Sequence, residues 1–149
     1  MFNPDFKDML SALSEAEIEF LLVGAYAMAA HGYPRATGDL DIWVRADPET
    51  ALKVFRVLAE FGAPLHDLTV DDLASPGIVF QIGVEPSRID ILTSVSGVEF
   101  DVAWQNRMTI ELDGIVLPVI GRDDLIVNKR ACGRLKDIAD AEALDRSDS

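Results

Sequence analysis

The chain has 149 residues, 49% of them hydrophobic, which is about one domain's length and enough to bury a continuous core. A net charge of −13 disfavours general binding to nucleic-acid backbones, and the single cysteine excludes an internal disulfide and a multi-cysteine zinc site. No apolar run approaches the roughly 20 residues that span a bilayer, and "MFNPDFKDML" lacks the basic-then-apolar pattern of a leader, so a cytoplasmic protein without a membrane partner is expected.

Residues 4–16 read as a helix, with Phe6, Met9, Leu10 and Leu13 at helical spacing. "IEFLLVG" is short, apolar and stopped by Gly24, as a buried strand would be. "AYAMAAHG" favours a short helix ending at Gly32. In "DLDIWV", Leu40, Ile42 and Val44 share one strand face while Asp39, Asp41 and Trp43 share the other. "DPETALKVFRVLAEFG" has Asp47 as cap and Pro48 at the first helical position, with an amphipathic stripe ending at Gly62. "IVFQIGV" and "RIDILT" form a hairpin candidate, and Asp113-Gly114 between "MTIEL" and "IVLPVI" is a strong hairpin signal. "DDLIVNKRACGRLKDIADAEAL" reads as two helices broken near Gly133. The order predicts one α/β (α+β) domain over 1–149, a mixed sheet flanked by helices, with its core at about 18–120 and a C-terminal helical segment at about 121–146.

Asp39 and Asp41 project to one side with Cα atoms roughly 6 to 7 Å apart. Buried without a partner they would cost several kcal/mol, so something positive belongs beside them. An Asp-x-Asp pair also marks ordinary solvated strand ends. Asp90, alternating with Ile89 and Ile91, faces away from the apolar side as the pair does. Carboxylates with this disposition suit Mg²⁺, which takes carboxylate oxygens, waters and substrate phosphates, and paired ions serve phosphoryl or nucleotidyl transfer. "LLVGAYA" adds a glycine turn and backbone N–H groups able to receive a phosphate. Arg35 and Thr37 precede the acids; Arg35 suits either a phosphate clamp or a salt bridge to Asp39.

Lys129, Arg130, Arg134 and Lys136 fall within eight residues, a basic patch on an acidic body that suits a small anionic ligand. Lys129 and Lys136 are seven apart on one helical face, and pairing with Asp137, Asp140 or Glu142 is the plainer alternative. Cys132 reads as a structural thiol, Trp43 as a core or cleft-wall residue, and His66 as surface. Asp71 and Asp72 read as a solvated helix start, and His31 as a helix-end residue on C-terminal carbonyls.

The ordered set "VGAYAMAAHGYPRATGDLDIWV", "RIDIL" and "LIVNKRACGRLKDIADAEAL" resembles the polymerase-beta-like nucleotidyltransferase superfamily, and within it the small AbiEii-type proteins of abortive-infection and toxin-antitoxin systems. The resemblance spans roughly 18–140. It implies Asp39, Asp41 and Asp90 as catalytic metal ligands, with Asp90 as ligand or general base. Gly24, Ala25, Arg35, Thr37, Lys129, Arg134 and Lys136 are implied to bind the nucleotide. Many members carry Gly-Ser or Gly-Gly where this chain has Gly24-Ala25, which removes a hydroxyl ligand for phosphate. The implied activity is transfer of a nucleoside monophosphate from an NTP donor such as ATP to a hydroxyl of tRNA, protein or a small molecule. Two Mg²⁺ ions, replaceable by Mn²⁺, would serve as cofactors, and a cognate toxin or antitoxin is the implied protein partner. The alternative is a nucleotidyltransferase-like chain without turnover that binds nucleotide or regulates a partner.

Overall fold

The computed structural model describes residues 3–34, 38–84 and 87–146. Helix α1 (Pro4–Glu15) starts where the Asn3 side chain accepts from the Asp5 backbone N–H at 2.8 Å, and it buries Phe6, Met9, Leu10 and Leu13. Strand β1 (Phe20–Val23) is buried throughout and runs directly into α2 (Gly24–Ala30). Strand β2 (Leu40–Val44) begins one residue after Asp39. Helix α3 (Pro48–Phe61) is capped by Asp47, which accepts from Thr50 N at 2.8 Å, and it closes on Gly62 at φ 93°. These are the termini that Pro at the first position and Gly past the last should produce.

Next come α4 (Val70–Leu73), β3 (Val79–Ile82), β4 (Ile89–Leu92) and α5 (Phe100–Gln105). Asp72 and Thr69 cap α4 reciprocally, which accounts for the acids there. Helix α5 falls outside the expected order. It is six residues long with only Phe100 and Ala103 buried, too short for a periodic signal. Strands β5 (Met108–Leu112) and β6 (Ile115–Val119) are joined through Asp113 at φ 51° and Gly114 at φ 79°, the left-handed pair that a tight hairpin needs. Helices α6 (Arg122–Cys132) and α7 (Leu135–Arg146) are separated at Gly133, φ 75°.

The six strands form one mixed sheet in the order β3-β4-β2-β1-β6-β5. β1 is antiparallel to β2 and parallel to β6; β2 is parallel to β4. The apolar alternation of β2 places Leu40, Ile42 and Val44 in the core. Trp43 is buried as well, its ring edge-on to Phe100 at 5.0 Å between centroids, so it is a core residue and not a stacking platform.

Candidate active site

The sheet register assembles the site. Val23, the last residue of β1, pairs with Asp41 of β2, and Asp41 pairs with Asp90 of β4. Two carboxylates therefore stand side by side on adjacent parallel strands, next to the turn at Gly24. Asp39 lies two residues before Asp41 on the same face. Gly24 has φ +66°, and a methyl group there would overlap Oδ2 of Asp41 and stand 3.1 Å from its Cγ. Glycine is required twice over, once by the backbone and once by the carboxylate seated against it.

The positive group that the aspartates call for is Arg88. Its Nε donates to Asp90 Oδ1 at 2.9 Å, and one terminal nitrogen donates to Asp39 Oδ2 at 2.9 Å and to Asp90 Oδ2 at 3.2 Å. Leu40 N donates to the Arg88 carbonyl at 3.0 Å, which brings the entries of β2 and β4 together and sets the guanidinium beside Asp39. Arg88 is the functional residue that the sequence reading passes over. Its signal is the i, i+2 spacing to Asp90 in "RID", which puts a cation on the carboxylates' own face.

Asp41 is pushed up to about 7, first by burial, then by the charge of Asp90 and a hydrogen bond between the two carboxyls, and by the charge of Asp39, against a smaller lowering by Arg88. Burial leads and the neighbouring carboxylates add to it, so Asp41 keeps its proton to higher pH than an ordinary aspartate. Oxygen donors in net negative surroundings fit a hard divalent cation. As arranged here, with Arg88 on Asp39 and Asp90, no three His, Cys, Asp or Glu side chains among the described residues form a metal-holding group.

Part of this cluster lines one side of a cleft of about 480 Å³, and Asp39 and Arg88 lie outside that lining. Val23, Gly24, Asp41 and Asp90 form its sheet wall, and Asn128, Lys129, Cys132, Arg134 and Asp137 form its helical wall. The helical wall carries its own ion cluster. Lys129 Nζ lies 3.1 Å from Asp140 and 3.6 Å from Asp137, and Arg134 Nε donates to Asp137 Oδ2 at 2.6 Å. Burial alone would raise the fully buried Asp137, but the hydrogen bond and charge of Arg134, with Lys129, overcome it and hold the carboxyl below its ordinary value.

The expected nucleotide-binding residues thus separate. Gly24, Lys129 and Arg134 line the cleft, whereas Ala25 and Lys136 do not. Lys136 is exposed on α7, because the break at Gly133 removes it from the helical face of Lys129. Arg130 turns to Asp145 at 3.1 Å. Arg35 and Thr37 lie outside the described residues. Cys132 is exposed at the cleft rather than packed as a small hydrophobe, since it ends α6 beside the Gly133 turn. His31 does cap a helix end, but its Nε2–H donates across to the Ile120 carbonyl at 2.8 Å instead of to its own helix. That bond pins the end of α2 to the end of β6. His66 is exposed, as expected.

Residues 3–147 match the family described as nucleotidyl transferase of unknown function, DUF2204. The chain belongs to this nucleotidyl transferase family. No curated protein matches it in sequence. Solved structures share its fold, these two among them. One is a candidate nucleotidyltransferase, TM1012 from Thermotoga maritima, at TM-score 0.59 and 17% identity over 99% of this chain and 94% of that one. The other is the lincosamide antibiotic adenylyltransferase LnuA with lincomycin bound, at TM-score 0.61 and 14% identity over 97% of each chain. Among the described residues no helix is long and apolar enough to cross a membrane.

Proposed function

We propose that this chain transfers a nucleoside monophosphate from a nucleoside triphosphate to an acceptor hydroxyl, in a reaction that depends on divalent cations. The observation that carries this reading is the cross-strand row of Gly24, Asp41 and Asp90 on one wall of a cleft whose opposite wall presents Lys129 and Arg134. Asp39, Asp41 and Asp90 would hold the cations, Mg²⁺ or Mn²⁺, two of them if the site works as a paired clamp. A bound divalent ion supplies neutralisation of the triphosphate and a lower pKa for the attacking hydroxyl. The acceptor oxygen forms its bond to the α-phosphorus as the bond to the bridging oxygen of the β-phosphate breaks, and pyrophosphate leaves. Asp90 takes the hydroxyl proton. Arg134 and Lys129 stabilise charge on the departing phosphates from the helical wall.

The acceptor follows from weaker arguments. A net charge of −13 works against unaided tRNA and favours a small molecule or a protein. The likeness to a lincosamide adenylyltransferase makes ATP the first donor to try and a hydroxyl-bearing small molecule the first acceptor. The AbiEii-type resemblance adds tRNA ends, proteins and a cognate toxin or antitoxin to the screen.

The test is transfer of label from each of four α-labelled NTPs, with Mg²⁺ or Mn²⁺, into a small-molecule panel and into lysate split by RNase and protease treatment. Asp41→Asn is expected to abolish transfer while keeping a folded thermal transition; full activity in that variant would sink the mechanism. A second reading, a nucleotide-binding chain without turnover, draws on Ala25 and on the hold of Arg88 over two of the three carboxylates. Stabilisation by Mg²⁺ and NTP with no pyrophosphate released would select it.

A further inference from the structure

We propose that Arg88 is an exchangeable counter-ion of the carboxylate cluster: its guanidinium gathers Asp39 and Asp90 in the cation-free protein and gives up at least one of them when a divalent cation binds, which sets the cluster's affinity for cations. This rests on the reading of Asp39, Asp41 and Asp90 as cation ligands.

The argument begins with the oxygens. Arg88 engages both oxygens of Asp90, at 2.9 and 3.2 Å, and Oδ2 of Asp39 at 2.9 Å. A forked guanidinium is the side chain best shaped to hold carboxylates in this way. A lone pair directed at an N–H is not available to an ion such as Mg²⁺, which needs its oxygens at roughly 2.0–2.1 Å in near-octahedral order. Arg88 and a divalent cation therefore compete for the same atoms.

One observation makes the hold exchangeable and not a permanent plug: the Arg88 side chain keeps 25% of its surface exposed, whereas the Asp90 side chain keeps only 10%. The cation can swing toward solvent while the carboxylates stay where the sheet register puts them. On the helical wall Lys129, only 12% exposed, holds Asp137 and Asp140 from inside the fold. Arg88 acts through the aspartates, so it is a positioning residue. Its removal should loosen the cation-free protein and tighten the metal-bound one.

The experiment is calorimetric titration of the full chain with Mn²⁺ in the absence of nucleotide, for the wild type, Arg88→Met, Arg88→Lys and Asp41→Asn. Loss of one nearby positive charge is expected to tighten Mn²⁺ binding in Arg88→Met by about tenfold. Arg88→Lys, a charge without the fork, should fall between it and the wild type, and Asp41→Asn should lose binding. Unchanged or weaker affinity in Arg88→Met, with Asp41→Asn still defective, overturns the counter-ion role and leaves the ligand reading standing. Absence of Mn²⁺ binding in both wild type and Arg88→Met overturns both. Should Arg88→Met not fold, the wild type decides: the ¹⁵N signal of the Arg88 Nε–H should shift and exchange faster as Mg²⁺ saturates, and a signal that stays put overturns the proposal.

Discussion

Two clusters of charge face each other across one cleft, and their chemistry is opposite. On the helical wall Lys129 and Arg134 meet Asp137 and Asp140, two bases against two acids, and the buried Asp137 is held ionised. On the sheet side Arg88 holds Asp39 and Asp90, and the neighbouring Asp41 is pushed up to about 7 by burial and by the two other carboxylates. What separates the two carboxyls is burial together with the neighbour each faces, a hydrogen-bonding arginine for Asp137 and a second carboxyl for Asp41. The helical cluster ties α6 to α7.

The sharpest way to break this contrast is to neutralise one acid in each cluster. Asp137→Ala leaves Lys129 and Arg134 without their shared partner and should cost about 3–5 kcal/mol, measured by chemical or thermal unfolding. Asp41→Asn should do the reverse at pH 8, raising the stability of the cation-free protein by about 1–2 kcal/mol as a repelling charge disappears. Equal losses in the two variants would erase the distinction.

Gly24→Ala tests the seating of the sheet cluster. The φ of +66° and the overlap with Asp41 should together cost roughly 2–3 kcal/mol. Nucleotidyl transfer should fall further than stability does, because the displaced group is a proposed ligand. A variant with normal turnover would show that Asp41 need not sit where it does.

The pH dependence follows from the raised Asp41. Its folded pKa lies near 7, above the ordinary 3.8, so between those values the folded state holds a proton that the unfolded chain has released. Stability without cations should therefore fall as pH rises from about 4 to about 7, by on the order of 4 kcal/mol or roughly 10 °C in Tm for a chain of this length. Asp41→Asn should flatten that slope. The smallest effect is expected at Lys136→Ala and Arg130→Ala. Lys136 is exposed and Arg130 pairs at the surface, so each should stay within about 0.5 kcal/mol and leave nucleotide affinity unchanged.

Much of this molecule is legible in its amino-acid order. The caps at Asp47 and Gly62, the Asp113-Gly114 hairpin and the break at Gly133 are local chemistry, decided within a few residues by hydrogen-bonding side chains and left-handed backbone. The alternation in "DLDIWV" and "RIDIL" likewise dictates that Asp41 and Asp90 leave the core on the side opposite their apolar neighbours. What alternation cannot say is which strand lies next to which. Pairing of β2 with β4, and the register that sets Asp41 against Asp90, come from packing of the whole sheet. Arg88 on Asp39, forty-nine positions away, depends on that pairing. The reach of His31 to Ile120 depends likewise on how α2 packs beside the end of β6. Sequence determined which residues could carry charge and which way each strand would turn them. Only the tertiary structure decided which charges meet, because electrostatic balance is a property of distances between elements and not of their order along the chain.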